Sequence, residues 1–264
     1  MVVFSFPASA LQISFPESYM ANTKFQYVRD FENDSKLLRN TWIVVRVDGN
    51  GFSEFVKTHK FVKPIDQRGV DLMVACAEAL MQKFRDVRFA FGQSDEFSFV
   101  LPRECDLWSR REAKLVSSFS SFFASSFVFL WPKFFQDQPL KEIPSFDARV
   151  VLFPSNQNLR DYLSWRQADT HINHLLNCCY WALVEKGNLT PAAAQTRING
   201  TTSAQKNELL FELGVNYNDQ KQQHRKGSFL FWTAKAQGVK SALKLMCDDL
   251  IQDEFWNANQ YLLE

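Results

Sequence analysis

Two aspartates stand where a strand-like segment ends and where a hairpin-like segment turns. Asp48 closes the segment TWIVVRVD (41–48), whose β-branched residues are typical of a strand. Asp95 lies within VRFAFGQSDEFSFVL (87–101), in which two short apolar runs are joined through GQSD and predict a β-hairpin. A hairpin that pairs with the first strand would bring the two carboxylates together.

A pair of converging carboxylates needs either a shared proton or a cation. Like charges about 4 Å apart repel by about 4 kcal/mol at an effective dielectric constant of about 20. Mg²⁺ prefers oxygen ligands and retains water and substrate phosphates in its octahedron. Two such ions would activate an attacking oxygen and stabilise leaving pyrophosphate. The pair therefore predicts metal-dependent nucleotidyl transfer, whereas either aspartate alone is more typical of a plain turn or a solvated hairpin.

Arg46 and Glu96 flank the two aspartates. Residues two apart on a strand share a face, so we expect Arg46 to point the same way as Asp48, where an arginine suits metal-bound phosphate. An ordinary salt bridge with Asp48 or a neighbour is the alternative. Glu96 faces away from Asp95 on a regular strand but need not do so at a turn, and we retain it as a candidate catalytic residue.

The remaining sequence predicts the elements that position this pair. Asp66 suits the N-cap of a helix whose apolar residues repeat every three or four positions from Val70 to Phe84. Leu115 to Trp131 runs 17 residues without a charge, and its apolar residues recur at helical spacing. Its serines favour a helix buried between layers over a membrane span. FDARVVLFP (146–154) predicts another strand.

Strand, helix, hairpin, helix and strand in this order predict an α+β fold of the ferredoxin-like βαββαβ type. Such a fold has a mostly antiparallel sheet with helices on one face. Farther along, residues 159–210 are predicted to be largely helical and residues 227–232 a short strand. Residues 235–263 are predicted to form an amphipathic C-terminal helix.

Composition limits the compartment and the partners. Thirty basic and 29 acidic residues give a net charge of +1, so overall charge does not indicate a nucleic-acid, membrane or acidic partner. Five cysteines without C-x-x-C or zinc-ligand spacing predict reduced thiols in the cytoplasm or nucleus. The first 19 residues contain no Lys or Arg, and so lack the features of a secretory signal or transit peptide.

Longer segments carry a resemblance to a known family. The more specific ones are VVRVDG (44–49), FGQSDEFSFV (91–100), YLSWRQADTHIN (162–173) and KNELLF (206–211). In these segments, and in their order over residues 20–233, the chain resembles tRNA-histidine guanylyltransferases of the eukaryotic type. The resemblance implies a palm-like catalytic domain similar to that of DNA polymerases, but working in the 3′-to-5′ direction.

The resemblance also implies the reaction and its substrates. The family adds one guanylate ahead of the first nucleotide of tRNA-His. ATP first adenylylates the 5′ monophosphate, the 3′-hydroxyl of GTP then attacks that activated end, and pyrophosphate is finally removed. On this basis we expect residues 1–19 to be an extension, residues 20–155 the palm-like catalytic domain, and residues 156–264 a mainly helical portion that completes the active site and contacts tRNA. A homotetramer without a membrane span is the expected assembly.

Site residues follow from the resemblance position by position. Asp48, the Gly49 carbonyl and Asp95 resemble the ligands of two Mg²⁺ ions. The residues that resemble nucleotide-binding positions are Arg46, Asp48, Gly49, Asn50, Gly51, Phe52, Ser53, Lys63, Asp66, Ser94 and Asp95. Those that resemble positions for a second triphosphate or the tRNA 5′ end are His171, Asn173, Lys206 and Asn216.

Four residues depart from the family pattern. Asn50 replaces a usual basic residue and Ser53 a common histidine, which weakens the expected phosphate grip of this loop. HINHLLN (171–177) replaces the usual HINNLYN at His174 and Leu176. The spacing of His171 and His174 is compatible with zinc, but no third ligand lies at a suitable spacing.

Contacts with tRNA are expected from local basic clusters. Lys221, Arg225 and Lys226, in what reads as a polar loop, are the favoured phosphate contacts. A second cluster, which ordinary solvation also explains, comprises Arg103, Arg110, Arg111 and Lys114.

Three alternative functions remain open. A nucleotide cyclase places two acids on the same kind of strand and hairpin, but KNELLF and WRQADTHIN oppose it. A template-dependent 3′-to-5′ tRNA repair polymerase of the related archaeal and bacterial type is closer. Asn50 and Ser53 make a catalytically lost RNA-binding scaffold conceivable, whereas the intact Asp48 and Asp95 oppose it.

Overall fold

The computed structural model describes residues 23–234 and 241–264. The chain divides into two units, residues 1–34 and residues 35–264. In the described part of the first unit, Gln26–Phe31 form a 3₁₀ helix without a buried side chain. The extension predicted at residues 1–19 lies outside the described residues. All elements considered below belong to the second unit.

A six-stranded sheet forms the centre of the second unit, and each neighbouring pair of strands is antiparallel. Its strands are β1 (Trp42–Asn50), β2 (Phe89–Gln93), β3 (Glu96–Leu101), β4 (Ser145–Phe153), β5 (Ser228–Trp232) and β6 (Leu243–Met246). They lie in the order β4-β1-β3-β2-β5-β6. The predicted antiparallel α+β architecture is confirmed.

Eight α-helices accompany the sheet in the described residues. They are α1 (Phe52–Thr58), α2 (Gln67–Lys83), α3 (Glu112–Phe134), α4 (Asn156–Glu185), α5 (Pro191–Ile198), α6 (Ser203–Glu212), α7 (Gln222–Lys226) and α8 (Asp253–Ala258). The succession β1-α2-β2-β3-α3-β4, with the short α1 after β1, is the predicted βαββαβ layout. The Asp66 side chain caps α2 by accepting a hydrogen bond from the amide of Arg68, as expected.

Helices α2 and α3 cover one face of the sheet. Alternate residues of the strands, such as Val45 and Phe99, point into this layer and are fully buried. By length and composition α3 is apolar enough to cross a membrane. Its buried stripe, which includes Leu115, Phe119 and Phe123, instead lies at the centre of this core. Burial of each such side chain contributes roughly 1.5–3 kcal/mol, so the apolar run is explained by packing between layers.

The opposite face is apolar at one end and polar at the other. At the apolar end Trp42 and Val44 pack with Leu163 of α4 and Trp256 of α8. Toward the other end of β1, the same face presents Arg46 and Asp48 instead. The helical part of the chain after β4 therefore covers the second face. Polar side chains are left on this face at the end of β1 that carries Asp48.

The end of β1 differs from the expected turn at Gly49. β1 continues through Gly49 and Asn50, because β4 pairs with both of them. The chain leaves the strand at Gly51, whose φ is +65°. That left-handed conformation favours glycine, since a side chain would crowd the backbone there.

The predicted C-terminal helix over 235–263 is wrong for the described residues. Residues 235–240 of that segment lie outside them. Leu243–Met246 form β6, which pairs with β5, and only Asp253–Ala258 form an α-helix. The backbone groups along the edge of β5 need hydrogen-bond partners, and a ladder with β6 supplies them, so tertiary pairing overrides helix propensity. The apolar residues Phe255 and Trp256 nevertheless reach the core.

Candidate active site

Asp48 and Asp95 lie at the polar end of the sheet, where β1 ends and the β2–β3 hairpin turns. β2 and β3 form the predicted hairpin, with Ser94 and Asp95 as its turn. The amide of Gly49 donates a hydrogen bond to the carbonyl of Asp95 over 3.1 Å. This hydrogen bond attaches the hairpin turn to the end of β1. A Cβ at Gly49 would lie 2.3 Å from the ring of Phe52, so glycine permits the close approach of that ring.

The charges of the two aspartates are coupled. Burial raises the pKa of Asp95, and the negative charge of Asp48 adds to the rise, while a hydrogen bond with Ser94 opposes it. Among the described residues, no cluster of three or more His, Cys, Asp or Glu side chains has the arrangement of a metal site. Two repelling carboxylates beside the Gly49 carbonyl are nonetheless a donor set that fits Mg²⁺, which completes its shell with water and phosphate.

Glu96 lies directly opposite Asp48 across the β1–β3 ladder and is buried. It accepts a hydrogen bond from Nη1 of Arg166 at 3.0 Å, and its Oε2 lies 3.7 Å from Nε of Arg46. Burial raises the pKa of Glu96, and the two arginines oppose that rise. The salt bridge considered for Arg46 is therefore formed with Glu96, whose carboxylate holds both arginines beside Asp48.

A cavity of about 300 Å³ opens on one side of Asp95. Apolar and aromatic residues, among them Phe52 and Trp181, form much of its wall together with Ser53, Lys63, Asp66 and Ser94. The ammonium of Lys63 lies 5.7 Å from the ring centroid of Trp181. An apolar wall with one lysine can accommodate a nucleobase and the charge of a triphosphate.

Asp66 has a structural role in the wall of this cavity. Its carboxylate accepts hydrogen bonds from the amides of Val62 and Arg68 and forms an ion pair with the Arg68 side chain at 2.7 Å. Burial raises its pKa, but the Arg68 side chain and these amides outweigh burial and hold the pKa below its ordinary value. Asp66 thus shapes the loop that carries Lys63.

A second cavity of about 310 Å³ lies on the other side of the hairpin turn. Its wall is mainly polar and includes Asp48, Glu96, Asn173, His174 and His224. Ser94 and Asp95 contribute to both cavities. Asp95 therefore lies where the two cavities meet, and Asp48 lies beside it in the wall of the second cavity, an arrangement that can present two substrates to one metal site.

One side of α4 lines both cavities. Arg166, Thr170, Asn173, Asn177 and Trp181 recur every three or four residues, and the last four belong to the cavity walls. Sequence reasoning assigned a role only to Asn173. The helical spacing of polar residues through WRQADTHIN was a signal that could have identified this side.

Several predicted residues line neither cavity. His171 lies 3.2 Å from the Tyr217 hydroxyl, and Lys206 donates a hydrogen bond to the carbonyl of Thr201 at 2.6 Å. Asn216 caps the 3₁₀ helix Tyr217–Asp219. The predicted nucleotide-binding residues outside both walls are Arg46, Gly49, Asn50 and Gly51, which lie along or just after β1.

The basic cluster of Lys221, Arg225 and Lys226 was predicted in a loop, but Gln222–Lys226 form helix α7. Lys221 donates a hydrogen bond to Gln67 at 2.9 Å. Gln167 of α4 donates to the carbonyl of Lys226 at 2.8 Å. These contacts between helices hold the segment in helical form. They also bring His224 and Gln223, which no sequence motif singled out, into the wall of the second cavity.

His174, one of the departures from the family pattern, is buried against α7. Its Nε2 lies 3.4 Å from Sγ of Cys178, and its ring centroid is 5.5 Å from that of His224. Burial lowers the pKa of His174 to about 4, and the neighbouring charges of His224, His171 and Arg225 act in the same direction. The imidazole is therefore neutral at physiological pH.

Comparison with known proteins decides the family. The family model described as tRNAHis guanylyltransferase matches residues 25–154, and that of the Thg1 C terminal domain matches residues 157–257. The chain belongs to the tRNA(His) guanylyltransferase family. Members of this family are nucleotidyltransferases, which agrees with the chemistry inferred from the paired aspartates.

Relatives match along most of the chain. The human probable tRNA(His) guanylyltransferase is 44% identical over 266 residues, covering 93% of this chain and 89% of the human one. The Schizosaccharomyces pombe tRNA(His) guanylyltransferase is 44% identical over 257 residues, covering 92% and 98%.

Solved structures agree in fold. The crystal structure of the tRNA(His) guanylyltransferase from Saccharomyces cerevisiae has a TM-score of 0.76 at 46% identity, covering 79% of this chain and 93% of that one. A bacterial guanylyltransferase-like protein in complex with ATP has a TM-score of 0.72 at 20% identity, covering 90% and 97%, and shares the fold.

Proposed function

We propose that this chain adds a single guanylate to the 5′ end of tRNA-His by 3′-to-5′ nucleotidyl transfer, with ATP and GTP as its nucleotide substrates. The observation that carries the proposal is the pairing of Asp48 with Asp95, because Asp95 lines both cavities and Asp48 lines the second. The names of the curated relatives support the substrate.

The chemistry sets the order of the proposed steps. A 5′ monophosphate lacks a good leaving group, so it first attacks ATP, takes up the adenylyl group and releases pyrophosphate. The 3′-hydroxyl of GTP then attacks the activated 5′ phosphorus, loses its proton and displaces AMP. Hydrolysis finally removes pyrophosphate from the new 5′ end. Binding energy at both nucleotides aligns the reacting oxygen with the phosphorus.

In this proposal the carboxylates of Asp48 and Asp95 and the carbonyl of Gly49 hold two Mg²⁺ ions. When bound, these ions would neutralise phosphate charge and lower the pKa of the attacking hydroxyl. Lys63 and the aromatic wall around Trp181 bind the triphosphate and base of one nucleotide. Arg46 binds phosphate on the Asp48 side. Glu96 acts as a positioning residue, because its carboxylate is committed to Arg166 and Arg46.

The other candidate residues are proposed either from their position in a cavity wall or from the family resemblance alone. Asn173 lines the second cavity, and we assign it to a second triphosphate or to the tRNA 5′ end. His171, Lys206 and Asn216 are proposed for the same ligand on the family resemblance alone. The remaining residues that we propose for nucleotide binding are Asn50, Gly51, Phe52, Ser53, Asp66 and Ser94. Phosphate contacts with tRNA are assigned to Lys221, Arg225 and Lys226.

In the cell, the proposed enzyme is a homotetramer of the cytoplasm or nucleus without a membrane span. All five cysteines are free thiols, which suits a reducing compartment. The aromatic stripe of α3 packs in the core, where it would have no contact with lipid. Residues 20–155 form the proposed palm-like domain, and residues 156–264 the portion that completes the site and contacts tRNA.

One assay tests the reaction. The protein is incubated with Mg²⁺, labelled GTP, ATP and 5′-monophosphorylated tRNA-His, and the expected product is longer by one guanylate at its 5′ end. Without ATP the addition should be suppressed, whereas 5′-triphosphorylated tRNA should remove the ATP requirement because it already carries pyrophosphate.

Three outcomes would support the alternatives. Faster addition to any tRNA that lacks its first nucleotide would identify a repair polymerase. Binding of tRNA without extension would identify a scaffold. Consumption of nucleotide in the absence of tRNA would identify a cyclase.

A further inference from the structure

An open strip of the sheet lies between α4 and the edge strand β4, on the same face as Asp48. Across the β1–β4 ladder Asp147 pairs with Asp48, and Arg149 pairs with Arg46. Directly opposed residues share a face, so all four side chains belong to this surface. The side chains of Arg149 and Asp147 are 56% and 44% exposed. The strip therefore gives access to Asp48 from the β4 side of the sheet.

Helix α4 covers the deeper part of the same face. The rings of Phe153 on β4 and Tyr162 on α4 have centroids 5.1 Å apart, and the Tyr162 hydroxyl lies 2.7 Å from Oγ of Ser98 on β3. One turn farther along α4, Trp165 follows Tyr162, with ring centroids 6.2 Å apart. A row of aromatic rings thus follows α4 from the apolar end of the face toward its polar end, where Arg166 contacts Glu96.

Trp165 is exposed but held in place. The residue is 56% exposed, although tryptophan is normally among the more buried residues. The guanidinium of Arg166 lies 3.6 Å from the centroid of its ring, and Arg166 is itself buried and hydrogen-bonded to Glu96. A buried cation fixed by a buried carboxylate therefore supports the ring. Trp165 consequently presents a fixed aromatic surface to solvent.

The charges of the open strip suit a nucleic acid more than a free anion. Nε of Arg46 is buried without a hydrogen-bond partner among the described residues, and Arg149 contacts Asp147 only at 3.5 Å. The carboxylate of Asp147 offsets part of the positive charge, so charge alone would bind a phosphate weakly. An exposed aromatic ring supported by Arg166, together with the arginines of the strip, is instead the combination that binds single-stranded nucleic acid, in which unpaired bases stack on aromatic side chains.

On the basis of the proposed function, we infer that Trp165 stacks on an unpaired nucleobase at the end of the RNA that is being extended, and that Arg149 contacts an adjoining phosphate. The two cavities beside Asp95 serve the nucleoside triphosphates in the proposed reaction. The RNA end then reaches Asp48 along the open strip. Trp165 is a positioning residue, because it sets the distance between the RNA end and the paired aspartates without touching the reacting atoms.

Kinetics separate this role from a general structural one. Trp165→Leu keeps apolar cover over Arg166 but lacks a ring, whereas Trp165→Phe keeps a ring. With ATP and GTP saturating, we expect Trp165→Leu to raise the KM for tRNA by roughly 5- to 150-fold, the range measured for loss of one base–aromatic stack. The KM for GTP should not change, and Trp165→Phe should retain most of the affinity.

Two further variants complete the kinetic set. Arg149→Gln should weaken tRNA binding less and reduce its salt dependence, because one phosphate contact is lost. Phe129→Ala is the matched control, since Phe129 is an 83% exposed aromatic residue on α3, which covers the opposite face of the sheet. That variant should behave like the unaltered protein in every assay.

Fluorescence tests the stacking directly. The probe is tRNA-His with 2-aminopurine at the unpaired position next to its 5′ end. Stacking on Trp165 should quench the probe when the unaltered protein is saturating. The quenching should be lost with Trp165→Leu and kept with Trp165→Phe, and melting temperatures report whether each variant is folded.

Equal quenching and equal KM for tRNA in a folded Trp165→Leu variant would overturn the inference. Such a result, in a protein that still adds guanylate, would leave the proposed function intact. Failure of the unaltered protein to extend any tRNA would instead overturn the proposed function, and the quenching experiment would still decide whether Trp165 stacks on RNA.

Discussion

The backbone amide of Gly49 donates a hydrogen bond to the backbone carbonyl of Asp95. This bond extends the β1–β3 ladder by one step beyond the pairing of Asp48 with Glu96. The positions of the two acidic side chains are therefore fixed by backbone geometry before any ligand is bound. A preformed pair requires less reorganisation when metal and substrate arrive.

Replacement of either paired acid should abolish nucleotidyl transfer without unfolding the protein. Because Asp95 has a raised pKa, the folded protein binds a proton there more tightly than the unfolded chain does. The charged form consequently costs stability above its ordinary pKa. Asp95→Asn should leave the metal-free protein as stable or more stable at pH 7, with the difference disappearing near pH 4.

Thermal melting in the presence and absence of Mg²⁺ checks this prediction. The unaltered protein should gain stability on addition of Mg²⁺, whereas Asp48→Asn and Asp95→Asn should gain little. Substantial transfer activity in either variant would contradict the assignment of these residues as metal ligands.

Glu96→Gln should destabilise the protein by about 3 kcal/mol, because loss of one partner from a buried ion pair leaves an uncompensated charge. The charges left behind are those of Arg166 and Arg46. The double variant Glu96→Gln/Arg166→Met should recover part of the loss. Chemical denaturation measures both effects, and an unchanged free energy of unfolding for Glu96→Gln would show that the ion pair does not stabilise the fold.

Gly49→Ala should reduce both stability and activity. The added Cβ would lie 2.3 Å from the ring of Phe52, which packs in the core, so ring and strand must shift. We expect a cost of about 1–3 kcal/mol, as for other overpacked sites. Gly200→Asn is a suitable control, because a Cβ at Gly200 would meet no atom of the described part of the chain within 4 Å. The φ of Gly200 is +72°, a conformation that asparagine tolerates.

Acid should destabilise the protein through His174. Its folded pKa is lowered to about 4, so between about pH 4 and 6.5 the unfolded chain binds a proton that the folded protein does not. Stability should therefore fall as the pH decreases through that window, by up to roughly 3 kcal/mol. His174→Asn should flatten this dependence between pH 7.5 and 5, as measured by melting temperature. An equally steep loss of stability in His174→Asn would exclude His174 as its source.

The sequence predicts the part of the fold that depends on local patterning. β1 and the β2–β3 hairpin follow from alternation of apolar residues and from turn chemistry, and α2 from its Asp66 cap. Leu243–Met246 was mispredicted because the segment gains its partner only when it meets β5. A contact between residues distant in sequence, not local preference, decides that structure.

The candidate site shows the same division. Asp48 was identified because it ends a recognisable strand, and Asp95 because it lies at the turn of a recognisable hairpin. Arg166 and His224 were not, since their positions depend on how α4 and α7 pack on the sheet. The sequence does not show which face of the sheet Glu96 points to, because it lies next to a turn. Its register opposite Asp48 shows that it faces the arginines.

The ion pair between Glu96 and Arg166 has a consequence for the autonomy of the palm-like portion. The two family models divide the chain near residue 155, yet this buried pair joins the two sides of that division. A fragment that ended there would lose Arg166, the partner of Glu96, would expose the apolar residues that α4 and α8 cover, and would leave the β2 edge without β5. Its remaining helices could not make up for the lost charge pairing and the lost ladder. The division between the family models is therefore not a folding boundary, and the two parts are expected to unfold together in a single cooperative transition.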